Sequence, residues 1–185
     1  MPRFLDMPGT GDDRTPIGAL RPLPHSSNLR LHRLSSAPAT FFVTKSLQPK
    51  KPVLTADLRA IISNAFVFAV HKERIYLRAF VVMPDHWHAL FATRERWTLP
   101  KFMHAFMSYV GGKTNNATTA AQTQWQDGYY ETWVKTAKQF HFISEYILAN
   151  PVKKGLAESP EQWDASSLKT REAVTQDWPF LLDNK

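Results

Sequence analysis

The chain has 185 residues, of which 43% are hydrophobic and 12% aromatic, a composition typical of a folded globular domain rather than a disordered one. It contains no cysteine, which excludes disulfides and thiolate metal sites, so any metal ligand must be an imidazole, carboxylate, amide or water. The formal net charge is +7, and residues 157–185 hold six acidic and three basic side chains, so that the remainder of the chain carries about +10. This basic excess favours a polyanionic partner, with nucleic acid before membrane.

The first 36 residues show no sustained hydrophobic period and predict an extended or disordered arm. Ala39–Ser46 is rich in Phe, Val and Thr and predicts the first strand. Thr55 is a candidate N-cap for a helix that runs to about Lys72. Neither a long apolar run nor a secretory signal is visible, so we expect a cytoplasmic protein.

The stretch Ile75–Phe91 predicts two strands separated by a corner at Pro84, because proline cannot donate to a central ladder. Side chains alternate along a strand, so His86 and His88 share one face and Trp87 lies on the other. Two imidazoles on one face are half of a metal site. A single His-x-His is nevertheless more often a pair of structural histidines than a metal site.

Further along, Thr98 is a candidate cap for a helix that ends near Gly111 and Gly112. Gln124–Val134 reads as an extended segment with a bend at Asp127. The resulting order βαββαβ predicts an α+β protein with a ferredoxin-like fold built on an antiparallel sheet.

A last helix is predicted over Gln139–Ala149, ended by Pro151. Tyr146 and Asn150 lie four residues apart and share a helix face, which allows both to approach the strand with the two histidines. A core tyrosine and a helix-capping asparagine explain the same pattern, and from these residues alone that structural interpretation is favoured. We therefore expect a main domain over residues 37–156, followed by an irregular, acidic extension over 157–185.

Three separated motifs, MPDHWHALF, WQDGYYETWV and EYILANPVKKGL, occur in an order that resembles the REP-associated tyrosine transposases. These are members of the single-tyrosine HUH endonucleases, named for a His-hydrophobic-His motif. The resemblance extends from about Thr40 to Leu168. It implies a ferredoxin-like enzyme that nicks single-stranded DNA near hairpins through a divalent metal and a covalent phosphotyrosine.

The resemblance also implies roles for individual residues. His86 and His88 match the metal ligands, Tyr146 matches the nucleophile, and Asn150 matches the third ligand. Imidazole ligands with open coordination positions are compatible with Mg²⁺ or Mn²⁺. Tyr129 and its neighbour Tyr130 are rival tyrosines, although they fall where the family has a merely aromatic position.

The resulting hypothesis is a metal-dependent endonuclease and strand transferase for single-stranded or hairpin DNA, acting at the nucleoid as a monomer or homodimer. The alternative is a domesticated protein of the same fold that binds DNA hairpins without cutting them. A small-molecule hydrolase is disfavoured by the positive charge. The cations expected to follow the DNA backbone are Lys45, Lys50, Lys51, Arg94, Arg96, Lys153 and Lys154.

Overall fold

The computed structural model describes residues 39–50, 53–115, 125–176 and 178, except for the side chains of residues 114 and 115. The predicted N-terminal arm and Lys51 lie outside the described residues. Among the described residues, no helix has the length and apolar character needed to cross a membrane.

Four strands form one antiparallel sheet in the order β2-β3-β1-β4. They are β1 (Thr40–Ser46), β2 (Ile75–Val82), β3 (His86–Thr93) and β4 (Tyr130–Val134). The central pair, β1 and β3, consists largely of buried residues, as expected for strands covered on both faces. Within the fourth predicted strand, only the final five residues form a regular strand, since the backbone bends before it at Gly128, whose φ is 69°.

Three helices accompany the sheet: α1 (Ala56–His71), α2 (Leu99–Asn115) and α3 (Ala137–Lys153). The Thr55 side chain accepts a hydrogen bond from the backbone N–H of Leu58 and so caps α1, as predicted. The chain order βαββαβ, followed by α3, confirms the predicted ferredoxin-like α+β fold.

The sheet separates two hydrophobic clusters. Helices α1 and α2 cover one face, where Phe66, Phe80 and Trp87 are fully buried. Helix α3 covers the other face, where Leu90 and Ile147 are fully buried. Trp87 is therefore directed toward α1 and α2, whereas the residues on either side of it lie on the α3 face of the sheet.

Both later helices extend beyond their predicted ends. Helix α2 continues through Gly112 to Asn115, since helix packing tolerates a cost of about 1 kcal/mol per glycine. Helix α3 includes Pro151 in its last turn, where the missing N–H removes a single hydrogen bond. It ends at Lys153, and Gly155, two residues further on, has a φ of 67° that lets the Leu156 N–H donate to the Pro151 carbonyl in a Schellman arrangement.

The apolar stripe of α3 also differs from the sequence prediction. In the sequence, the spacing of Phe142, Ile143, Tyr146 and Ile147 predicts that these four residues share the apolar side, but Phe142 is 53% exposed. Phe140, Ile143 and Ile147 are buried against the sheet instead. Their spacing of three and four residues is the usual one for a helix that packs along one stripe.

The chain after α3 follows the outer edge of β2. Ala165 O accepts from the Val82 N–H at 2.8 Å, and the Ser167 N–H donates to Phe80 O at 3.0 Å. Farther on, the Thr175 N–H donates to Leu77 O at 2.7 Å. These bonds satisfy backbone groups that an edge strand otherwise leaves open.

Candidate functional site

The two histidines stand at the beginning of β3, next to the corner that joins it to β2. His88 is 7% exposed and His86 lies partly open to solvent. Between them Trp87 is fully buried, with its ring 5.3 Å from that of Phe66 and 5.5 Å from that of Phe106. This packing fixes the strand, and the strand fixes both imidazoles on the α3 face.

The two imidazoles converge, with His86 Nε2 and His88 Nε2 3.1 Å apart. The other nitrogen of each ring, Nδ1, contacts a side chain on the side away from the Nε2 pair. His86 Nδ1 donates to the Asp85 carboxylate at 2.6 Å, because an ionised carboxylate can only accept. His88 Nδ1 lies 2.7 Å from Thr44 Oγ1, a hydroxyl that can donate or accept. Both rings are therefore oriented by outer partners of the kind that support metal-binding histidines.

Burial decides the charge of the inner ring. Desolvation lowers the pKa of His88 to about 3, and the neighbouring His86 adds to this effect. His88 is consequently neutral throughout the physiological range. A neutral imidazole keeps a nitrogen lone pair, which is the form that binds a metal.

The donor set fits one divalent cation. Two ligands about 2.1 Å from an octahedral ion and at right angles to each other are about 3 Å apart, which matches the observed separation of the two Nε2 atoms. Within the described part of the chain, no group of three or more His, Cys, Asp and Glu side chains is arranged for metal binding.

Tyr146 lies beside this pair. It projects from the middle of α3, half-buried, with its ring centroid 5.6 Å from that of His88. The Phe42 ring packs against it edge-on at 6.2 Å. The Lys153 ammonium, two turns along the same helix, is 5.1 Å from the centre of the Tyr146 ring. The structure therefore brings together one phenol, two imidazoles and one cation.

Asn150 occupies the next turn of α3 and is 3% exposed. Its Nδ2 donates to the Tyr146 carbonyl at 3.4 Å, so this side chain is linked to the backbone of the tyrosine. That contact leaves its carboxamide oxygen available as an acceptor. The role of Asn150 as a third ligand stays a prediction.

The rival tyrosines occupy different environments. Tyr129 is half-buried and packs against the cluster under α1 and α2. Tyr130 is 48% exposed and pairs with Thr44 across β1 and β4. Thr44 pairs in turn with His88, so Tyr130 lies two strands, or about 10 Å, from the histidines.

The predicted DNA-contacting cations differ in their surroundings. Lys45 is 7% exposed, and its ammonium donates to Gln126 O and, at 2.6 Å, to Gly128 O. Arg94 follows the far end of the eight-residue strand β3, roughly 25 Å from the histidines, where it pairs with Glu73 at 3.7 Å. Of the predicted set, Lys50, Arg96, Lys153 and Lys154 are exposed, and Lys153 and Lys154 follow Tyr146 at the end of α3.

Sequence reasoning did not single out Thr44 or Asp85. Asp85 directly precedes His86, so its proximity was visible in the sequence. The contact of Thr44 with His88 depends on the register of β1 against β3, which is set by packing and not by any local pattern.

Comparison with known proteins gives concordant results. The model of the family described as "Transposase IS200 like" matches residues 41–150. A REP-associated tyrosine transposase from Escherichia coli (strain K12) is 25% identical over 130 residues, which are 69% of this chain and 75% of that protein. The solved structure of a REP-associated tyrosine transposase bound to a REP hairpin superposes with a TM-score of 0.60 at 19% identity. That superposition covers 80% of this chain and 88% of the other, and it shows a shared fold.

Proposed function

This chain belongs to the IS200-like transposase family, and from that premise we propose that it is a metal-dependent endonuclease and strand transferase for single-stranded DNA that carries hairpins. One observation carries the proposal. The Tyr146 ring lies 5.6 Å from His88 in a site where two imidazole nitrogens converge to 3.1 Å. A phenol and two imidazole nitrogens are groups that can serve as a tyrosine nucleophile and as ligands of a divalent cation.

His86 and His88 would hold Mg²⁺ or Mn²⁺, with Asn150 as the proposed third ligand. When bound, such an ion neutralises the charge that develops on a phosphate under attack. Asp85 and Thr44 act behind the ligands, since they fix the orientation of the two rings.

In the proposed reaction the Tyr146 oxygen forms a bond to the phosphorus of a phosphodiester, and the bond from that phosphorus to the 3′ oxygen breaks. The products are a 5′-phosphotyrosine and a free 3′ hydroxyl, because the proton lost by the phenol is balanced by the proton that the leaving 3′ oxygen takes up. Because the phosphate bond is stored on the protein, attack by another 3′ hydroxyl rejoins DNA without a nucleotide cofactor. The Lys153 ammonium stands near the Tyr146 ring, where it complements the negative charge of the phosphate.

The proposed partner is DNA with a hairpin. Support comes from the net charge of +7 and from the related structure, whose protein is bound to a REP hairpin. The tyrosine and both histidines belong to one chain, which favours a site that is complete within each subunit, whether the protein acts as a monomer or as a homodimer. We expect the protein to act at the nucleoid.

One experiment distinguishes the proposed endonuclease from the alternative function, which is to bind hairpins without cutting them. The protein is incubated with hairpin-bearing single-stranded DNA and Mn²⁺, and covalent adducts are sought on a denaturing gel. We expect an adduct with wild type and with Tyr130→Phe, and none with Tyr146→Phe. His88→Gln should also lose the adduct, because the ligand pair is broken.

Two results would contradict the proposal. An undiminished adduct in Tyr146→Phe would assign the nucleophile elsewhere. Binding of the hairpin by wild type without any adduct, in Mn²⁺ or Mg²⁺, would favour the non-catalytic alternative.

A further inference from the structure

A shallow, open depression with a volume of about 30 Å³ lies on the sheet beside the histidine pair. It lies between β1 and the turn that leads into β4. Thr44 belongs to its lining and also contacts His88, so the depression and the proposed metal site share a wall. The lining residues are Thr44, Ser46, Gln126, Asp127, Gly128, Tyr129 and Tyr130.

Strand register places the depression in line with the histidines. Ser46 is paired with His86, and Thr44 is paired with both His88 and Tyr130. Residues paired across adjacent strands share a face of the sheet. One face of the sheet therefore carries a row formed by His88, Thr44 and Tyr130. This row leads from the proposed metal site into the depression.

The turn that closes the depression is held firmly. The buried Lys45 ammonium donates to the carbonyls of Gln126 and Gly128. The Gln126 backbone N–H donates to Ser46 O at 2.9 Å, and its side-chain amide donates to Leu47 O at 3.0 Å. A wall fixed by four hydrogen bonds requires little ordering when a ligand binds, which favours affinity.

The chemistry of the lining suits a nucleobase better than a phosphate. Tyr130 is 48% exposed, and its ring offers a surface on which an unpaired base can stack. Asp127 is an exposed carboxylate close enough to the Lys45 ammonium to interact with it electrostatically, and its oxygens can accept hydrogen bonds from the exocyclic amino group of a base. Adenine, cytosine and guanine carry such a group, whereas thymine does not.

We infer that this depression binds the unpaired base of a nucleotide next to the phosphate attacked by Tyr146, and that Tyr130 and Asp127 select a base with an exocyclic amino group over thymine. The inference rests on the proposed function, because it takes the attacked phosphate to lie at the histidines. It gives the Trp-Gln-Asp-Gly-Tyr-Tyr segment a role in choosing the DNA sequence.

The test measures binding and is independent of cleavage. The full-length protein, in chelator, selects from hairpins whose single-stranded flanks are randomised, and the bound fraction is sequenced. We expect one flanking position at which thymine is depleted about tenfold. Asp127→Asn should abolish the depletion at that position alone, since an amide can also donate to thymine.

Affinity for the selected hairpin tests the stacking partner. Tyr130→Ala should weaken binding about tenfold, whereas Tyr130→Phe keeps the ring and should retain binding. Trp133→Ala is the matched control, because Trp133 lies on the opposite face of the same strand and is 44% exposed. Thermal unfolding of each variant verifies that it is folded.

The outcomes separate this inference from the proposed function. If Asp127→Asn selects the same bases as wild type at every position, or if Tyr130→Ala binds as tightly as wild type, the base site is overturned. That result leaves the Tyr146 adduct unaffected. Absence of an adduct with an intact base preference instead overturns the catalytic proposal, and absence of any hairpin binding by wild type overturns both.

Discussion

Acidification should destabilise the metal-free protein through His88. The side chain is 7% exposed, and burial lowers its pKa from an ordinary value of 6.5 to about 3. Between these two values the unfolded chain binds a proton that the folded chain does not. The free energy of unfolding therefore falls as the pH drops below about 6.5, and this loss continues until the pH approaches 3.

The magnitude follows from the two pKa values. Each pH unit between them changes the free energy of unfolding by about 1.4 kcal/mol. At pH 7 the loss is close to zero, and at pH 5 it amounts to about 2 kcal/mol. With a urea dependence of about 2 kcal/mol per molar, the unfolding midpoint should be about 1 M lower at pH 5 than at pH 7.

Urea unfolding of wild type and His88→Gln, both in chelator, measures this effect. Glutamine does not titrate and preserves hydrogen bonding toward Thr44. The difference in free energy of unfolding between the two proteins therefore removes the contribution of the titrating groups that they share. We expect that difference to shift by about 2 kcal/mol from pH 7 to pH 5. A difference that stays constant over this interval would refute the burial of a neutral imidazole at position 88.

Four further substitutions test other parts of the structure. Gly112→Ala should raise the free energy of unfolding by about 1 kcal/mol, because α2 continues past Gly112 and an added Cβ meets no atom within 4 Å. A loss of stability in urea titration would contradict a helix that extends to Asn115. Gly155→Ala should lower it by about 1–2 kcal/mol, since φ is 67° there; an unchanged midpoint would show that α3 ends differently. Lys50→Met should reduce the slope of log DNA affinity against log salt concentration by about one released ion, because Lys50 is exposed. Lys45→Met should leave this slope unchanged and lower the free energy of unfolding, because the Lys45 ammonium donates to the turn before β4. Equal slopes for the two variants would contradict this distinction.

The sequence was sufficient where a local pattern determines the structure. Alternation along β3 placed His86 and His88 on one face and Trp87 on the other, and the structure has this arrangement. The succession of helical and strand patterns likewise gave the ferredoxin-like order. Both inferences depend on periodicities of the backbone, which hold in any tertiary context.

Helix ends and cation environments were less predictable, because tertiary packing overrides local preference. Proline usually ends a helix, but Pro151 is buried in the last turn of α3. A lysine in a basic chain is usually solvated, but Lys45 is directed into a cluster of backbone carbonyls. Identification of these carbonyls requires the pairing of β1 with β4, and this pairing joins residues about 90 positions apart.

The rotation of α3 about its own axis places Tyr146 where the proposed reaction needs it, and no local pattern determines that rotation. If Phe142 had packed on the sheet, as its apolar character suggested, the stripe would have turned the helix toward that side. Because Phe140, Ile143 and Ile147 form the stripe instead, Tyr146 stands at its margin, half-buried beside His88. A nucleophile needs this intermediate position, since a tyrosine at the centre of the stripe is closed to DNA and one on the outer face is remote from the imidazoles. Apolar packing that stabilises the fold thus also sets the position of the phenol relative to the two imidazoles, on which the proposed reaction depends.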